Sequence, residues 1–101
     1  MTNNFPDLPA NTIETITQTA DQYPEIEKVA VFGSRAMGNA KPGSDIDLAI
    51  YGDKITQHIV TQFHMHLNEE TNIPNLIDVI HYEAISTTEL KCHIDDYSIK
   101  L

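Results

Sequence analysis

Two aspartates separated by one residue, at the head of an apolar run, constrain this chain more than any other feature. The run is Asp45-Ile46-Asp47-Leu48-Ala49-Ile50, and it follows an earlier one, Val29-Ala30-Val31-Phe32, that ends in Gly33-Ser34. Side chains alternate between faces along a strand. A strand opening at Asp45 therefore points Asp45 and Asp47 to one side of a sheet and sends Ile46 and Leu48 into a core. Two carboxylates close together on one face repel and raise each other's pKa unless a cation lies between them. That is a poor arrangement for a purely structural strand. It suits magnesium, a hard cation that accepts a few carboxylate oxygens and fills its remaining positions with phosphate and water.

The turn before it supplies complementary chemistry. Gly33 removes a side chain where a phosphate must approach the backbone, and Ser34 offers a hydroxyl and an N–H to phosphate oxygens. Residues 34–37 have room for one helical turn with its N–H groups turned to the same anion. Arg35, the only arginine of the chain, lies in this loop, with Lys41 following. A guanidinium grips phosphate as a bidentate fork, so its placement here is informative.

The remaining pattern frames these residues. Pro6 and Pro9 mark an irregular lead-in; Asn11 opens a helix whose apolar stripe is Ile13, Ile16, Ala20 and Tyr23, and Pro24 closes it. A first strand covers 28–32, a polar Pro- and Gly-containing connection covers 38–43, and the second strand ends at Gly52-Asp53. Asp53 is placed to cap a helix carrying Ile55, Ile59, Val60, Phe63 and Leu67 towards Glu70. Asn72-Ile73-Pro74 breaks it, and Leu76 to His81 forms a third strand. That strand is apolar on both faces except at Asp78, a carboxylate that would be costly to bury unpaired. Thr87 or Thr88 starts a short last helix through Ile94, and 98–101 form a short extended tail.

Composition sets outer bounds. A chain of 101 residues is the size of one domain. Six basic against fifteen acidic residues give a net charge of −9, which disfavours extended nucleic-acid binding and suits a basic protein partner or a metal-chelated nucleotide in a local pocket. Cys92 is alone, so no internal disulfide is available and a reducing cytoplasm fits. No apolar run is long enough to cross a bilayer. His58, His64 and His66 share one helix, but without the three- or four-residue spacing of a metal pair they read as helix-surface or partner-interface residues. Cys92 reads as a small core residue rather than a nucleophile, and His81 and His93 carry no pattern.

Gly33-Ser34-Arg35-Ala36-Met37-Gly38 followed by Ser44-Asp45-Ile46-Asp47-Leu48 resembles the minimal nucleotidyltransferases of the DNA polymerase β-like superfamily, whose pattern is Gly-Ser-x-x-x-Gly, a spacer and Asp-x-Asp. More narrowly it resembles MntA-type antitoxins, small nucleotidyltransferases paired with a HEPN-domain toxin RNase. Many relatives carry a second basic residue where this chain has Met37. The resemblance implies an α/β (α+β) nucleotidyltransferase fold: one domain over 1–101, a small mixed β-sheet with helices packed on one side and the site on the other. It implies that Asp45, Asp47 and Asp78 bind two Mg2+ ions and carry catalysis, with Asp78 on the third strand completing the set. Gly33, Ser34 and Arg35 would hold the phosphates of ATP. The implied reaction transfers AMP to a tyrosine hydroxyl of the cognate HEPN toxin, in a hetero-oligomer without direct nucleic-acid or membrane contact. Two other readings are an antitoxin that acts by binding alone and a small-molecule nucleotidyltransferase; the latter usually carries an added acceptor domain.

Each aspartate also has an ordinary reading, Asp45 as a turn residue and Asp78 as a strand-end hydrogen-bond acceptor. The three together with the Gly-Ser turn favour the site.

Overall fold

The computed structural model describes residues 8–37, 43 and 45–101, the side chains of Ser34 and Met37 excepted. The lead-in before Leu8 and the polar connection, Gly43 apart, lie outside the described residues. In chain order the elements are helix α1 (Ala10–Ala20), strand β1 (Lys28–Phe32), the single helical turn α2 (Ser34–Met37) and strand β2 (Ile46–Tyr51). Helix α3 (Gln57–Glu69), strand β3 (Ile77–His81), a 3-10 turn at Tyr82–Ala84, helix α4 (Thr88–Tyr97) and strand β4 (Ile99–Lys100) follow.

The strands form one mixed sheet in the order β3-β2-β1-β4. β2 lies between β1, antiparallel to it, and β3, parallel to it, with α3 as the crossover. The tail is extended as expected, and it also pairs: Ile99 and Lys100 lie antiparallel to Val31 and Ala30 as the outer strand β4.

The alternation read from the sequence divides the two faces. Val29 and Val31 of β1, Ile46, Leu48 and Ile50 of β2, and Ile77 of β3 form a buried cluster with Ile16 and Ala20 of α1 and Phe63 and Leu67 of α3. Leu48, Ile50, Phe63 and Leu67 are wholly inaccessible, and each such side chain contributes roughly 1.5–3 kcal/mol through burial. The long helices thus pack together on one side.

The opposite face is not bare. Ala30 and Ala49 sit opposite each other in register and are buried, although they project away from the main cluster. Their small side chains leave room for α4, which lies against β1 and buries Ile94 completely. Side-chain contacts fasten α4 there. The Tyr82 hydroxyl donates to Asp95 Oδ1 at 2.6 Å, Lys91 Nζ lies 5.3 Å from the Tyr82 ring centroid, and Tyr82 stacks on Tyr51 at 4.6 Å.

Several boundaries differ from the sequence reading for local reasons. α1 starts at Ala10, with the Pro9 carbonyl accepting from the N–H groups of Thr12 and Ile13, so Asn11 lies inside the helix and does not cap it. Asp53 does not cap α3 either. Thr56 does, its hydroxyl accepting from the Ile59 N–H at 3.2 Å, and Ile55 is buried just ahead of the helix. α4 runs to Tyr97, beyond the expected Ile94. Cys92 is exposed on α4 and is not a core residue, because the buried stripe of this helix passes through Ile94.

β3 is an edge strand, and a side chain closes its first rung. Asn68 Oδ1 accepts from the Ile77 N–H and Asn68 Nδ2 donates to the Ile77 carbonyl, both at 2.9 Å. The amide therefore stands where a further strand would pair. Asn68→Ala leaves both half-buried peptide groups of Ile77 without these partners and is expected to cost roughly 1–3 kcal/mol in a urea unfolding titration. A loss below a few tenths would show that water replaces the amide.

Candidate active site

Strand register decides which candidate residues meet. Phe32 of β1, Asp47 of β2 and Asp78 of β3 occupy one row across the sheet, since Phe32 pairs with Asp47 and Asp47 with Asp78. Paired residues on neighbouring strands project to the same face. Asp47 and Asp78 are therefore side by side, on the face that also carries α4. Asp45, expected as the first residue of the strand, instead immediately precedes β2 and is exposed.

Asp78 is drawn in by register and not by burial. It is exposed on the edge strand, so the cost of burying it, the reason the sequence singled it out, does not arise. Asp47 is the half-buried member of the set. Burial pushes its carboxyl up from the ordinary aspartate range, and the charges of Asp78 and Asp45 push it further, against a smaller downward pull from the His93 imidazole.

The glycine turn closes on the same carboxylate. Gly33 has φ +74°, a left-handed conformation that L side chains rarely adopt. A Cβ built there would lie 2.6 Å from Asp47 Oδ2, so backbone conformation and space both require glycine. This contact sets the phosphate-type turn directly against the carboxylate row. α2 begins at the next residue, as expected from residues 34–37, and packs on β1. Arg35 lies within α2 and is half-buried. The Ser34 hydroxyl, expected to meet phosphate, lies outside the described residues, as does Lys41.

The donor set fits magnesium in one respect and not in another. Among the described residues no group of three or more His, Cys, Asp or Glu is arranged to hold a metal ion. Magnesium, however, commonly binds through one or two carboxylates and completes its octahedron with water and substrate phosphates. Asp47, half-buried and crowded by like charge, is a hard oxygen donor short of positive charge, and the absence of a side chain at Gly33 lets the turn lie directly against its carboxylate. Two cavities, of about 180 Å3 beside Lys28 and Leu101 and about 220 Å3 beside Val79 and His81, are not lined by any of the three aspartates.

His93, which gave no pattern in the sequence, is the group the sequence reading missed. From α4 its ring packs edge-on to Phe32 at 6.3 Å and tilts against Tyr97 at 5.3 Å. The four-residue spacing of His93 and Tyr97 was a legible signal that they share a helix face, but nothing in the sequence tied that face to β1. His81 also has a place: its Nε2 lies 2.9 Å from the Gly52 carbonyl and 3.2 Å from Glu83, whose two oxygens accept the Gly52 N–H. Of the α3 histidines, His58 is exposed, while His66 packs its ring against Tyr23.

A raised folded-state pKa in an acid has a defined sign. Above that pKa, the ionised Asp47 costs stability; below the unfolded-state pKa, that cost is absent. Metal-free Asp47→Asn is thus expected to melt at a higher temperature than wild type at neutral pH, and the gain should shrink on acidification below the raised pKa and vanish below the unfolded-state value. A variant that melts lower at neutral pH would refute the electrostatic account. Gly33→Ala is expected to be destabilised by about 1–3 kcal/mol, being strained in φ and crowded against Asp47.

Comparison with known proteins agrees with this architecture. Residues 14–101 match the family model described as Polymerase beta, Nucleotidyltransferase. Among solved structures, a chain of a toxin–antitoxin complex with AMP-PNP is similar at TM-score 0.71 and 19% identity, over 92% of this chain and 72% of that one. A chain of the MntA–HepT toxin–antitoxin complex gives TM-score 0.65 and 16% identity over 89% and 68%. A chain from tri-AMPylated Shewanella oneidensis HEPN toxin in complex with MNT antitoxin gives TM-score 0.65 and 16% identity over 89% and 67%. At such identities these likenesses speak to the fold alone. No match was found among curated proteins. The mixed sheet, the glycine turn set against an aspartate row and a family match over most of the chain lead to one assignment: this chain belongs to the polymerase beta nucleotidyltransferase family.

Proposed function

We propose that this protein is the antitoxin of a HEPN/MNT toxin–antitoxin pair, and that it transfers AMP from ATP to a tyrosine hydroxyl of its HEPN toxin RNase, neutralising it. The observation that carries the reading is the contact of Gly33 with Asp47, which sets a side-chain-free turn beside carboxylates within a nucleotidyltransferase fold. The similar chains support the partner class, since they come from complexes of toxin with antitoxin, one of them with an AMPylated HEPN toxin. We read residues 1–101 as one minimal domain acting in the cytoplasm, where ATP is available and the lone Cys92 stays reduced. No helix among the described residues is long and apolar enough to cross a membrane.

In this reading Asp45 and Asp47 hold the Mg2+ that accompanies ATP, and Asp78 with Asp47 serves a second Mg2+. Bound magnesium would neutralise triphosphate charge and favour ionisation of the acceptor hydroxyl. Gly33 leaves backbone space for the β- and γ-phosphates, which Ser34 and Arg35 hold. Asp78, exposed on the edge strand, lies where an incoming acceptor can reach it and helps take the hydroxyl proton. The acceptor oxygen bonds to the α-phosphorus, the bond to the bridging oxygen breaks, and pyrophosphate leaves with the electron pair. The acidic surface, net −9, favours a basic docking partner.

The test is the intact mass of the HEPN protein after incubation with this protein, ATP and magnesium. Mass gains in whole AMP units are expected, and are lost with Asp45→Asn/Asp47→Asn. That variant should keep its circular dichroism spectrum while losing magnesium-dependent binding of a non-hydrolysable ATP analogue in calorimetry. A tight complex without any mass change would replace transfer by neutralisation through binding. Transfer undiminished in the double variant would overturn the site.

A further inference from the structure

Four tyrosines lie in this chain, and their surroundings differ in a way that bears on acceptor chemistry. Tyr23 lies behind the sheet, with its ring edge-on to Phe63 at 5.7 Å and its hydroxyl 3.4 Å from His66 Nδ1. Tyr51 is half-buried between the Lys28 ammonium, 4.0 Å from its ring centroid, and the stacked Tyr82. The Tyr82 hydroxyl is committed to Asp95 at 2.6 Å, a bond that holds its pKa up at about 12 and makes it a reluctant nucleophile. Tyr97 is different. It is 53% exposed, and its hydroxyl has no hydrogen-bond partner among the described residues.

Tyr97 also lies on the face that carries the carboxylates. Its ring rests on His93 at 5.3 Å, the His93 ring rests on Phe32 at 6.3 Å, and Phe32 is the cross-strand partner of Asp47. A chain of two ring contacts therefore leads from Asp47 to an exposed phenol. The phenol sits at the last residue of α4, where the chain leaves the helix for β4. A tyrosine hydroxyl is the same acceptor group as in the proposed reaction. One on the site face of the same chain needs no docking step to be brought there.

We propose that Tyr97 is an acceptor within the chain itself, so that the protein AMPylates its own Tyr97 in cis when its partner is absent. This rests on the nucleotidyltransfer reading above. The Tyr97 oxygen forms the bond to the α-phosphorus of ATP, the bond to the bridging oxygen breaks, and pyrophosphate departs with the electron pair. The phenolic proton passes to an aspartate of the row or to water. The product carries an AMP group beside His93, on the face that an incoming acceptor must approach, so a modified chain would transfer more slowly to its partner.

The experiment incubates the full-length protein alone with ATP and magnesium and follows its intact mass, with fragmentation to place any adduct. A parallel sample contains the HEPN protein. A gain of one AMP unit, located at Tyr97, is expected. It should be absent from Tyr97→Phe, which keeps the ring on His93, retained in Tyr82→Phe, and absent from Asp45→Asn/Asp47→Asn. Its first-order rate constant should not change over a tenfold dilution. An adduct that persists in Tyr97→Phe, or a rate constant that falls on dilution, would overturn the assignment of Tyr97 in cis. AMP on the HEPN protein with none on this chain would overturn it while leaving the proposed function standing. AMP on neither protein would remove the function reading and this inference together.

Discussion

The close approach of Gly33 to Asp47 is the constraint on which the site face depends. For it to exist, β1 must end one residue before the turn, β2 must place Asp47 directly across from Phe32, and residue 33 must take a left-handed conformation without a side chain. Shifting β2 by one residue against β1 would turn Ile46 and Leu48 outward and the aspartates into the core. The buried Ile46, Leu48 and Ile50 on the reverse face oppose that slip. Core packing and site geometry are therefore two sides of the same strand, and the apolar residues hold the charged ones in register.

That arrangement carries an electrostatic cost where it has most use. Asp47 is half-buried with Asp78 and Asp45 near it, and in the free protein the principal charge pulling the other way is the His93 imidazole. A folded chain that keeps carboxylates crowded has a standing preference for positive charge at that point.

Much of this was legible in the amino-acid order, because the signals were local. Alternation along 45–51 gave the two faces of β2, the Gly-Ser pair gave the turn, and Ile59, Phe63 and Leu67 gave α3. What stayed hidden depended on contacts between distant segments. Asp78 stood out for the wrong reason, since no local pattern shows that β3 is an edge strand where a carboxylate is free of burial cost. The position of α4 was equally hidden, because the alanines that admit it, Ala30 and Ala49, are unremarkable in two apolar runs. Cys92 was misplaced with it, and His93 could acquire a role only once α4 was set against Phe32. Cap positions misled by two to three residues: the Pro9 carbonyl starts α1 ahead of Asn11, and the Thr56 hydroxyl caps α3 in place of Asp53.

The amide of Asn68 has a meaning beyond the rung it completes. An outer strand with unsatisfied peptide groups is a template on which other chains can add strands, the first step towards uncontrolled association. Here the outer strand begins beside Leu76, 69% exposed, and without the amide that stretch would offer both hydrogen bonds and an oily side chain. Because Asn68 already occupies both groups of Ile77, an incoming strand must first displace a partner fixed to α3, which also anchors Asn68 through the His64 carbonyl. One side chain on a crossover helix thus blocks strand addition at the first rung of the outer strand, beside its exposed leucine.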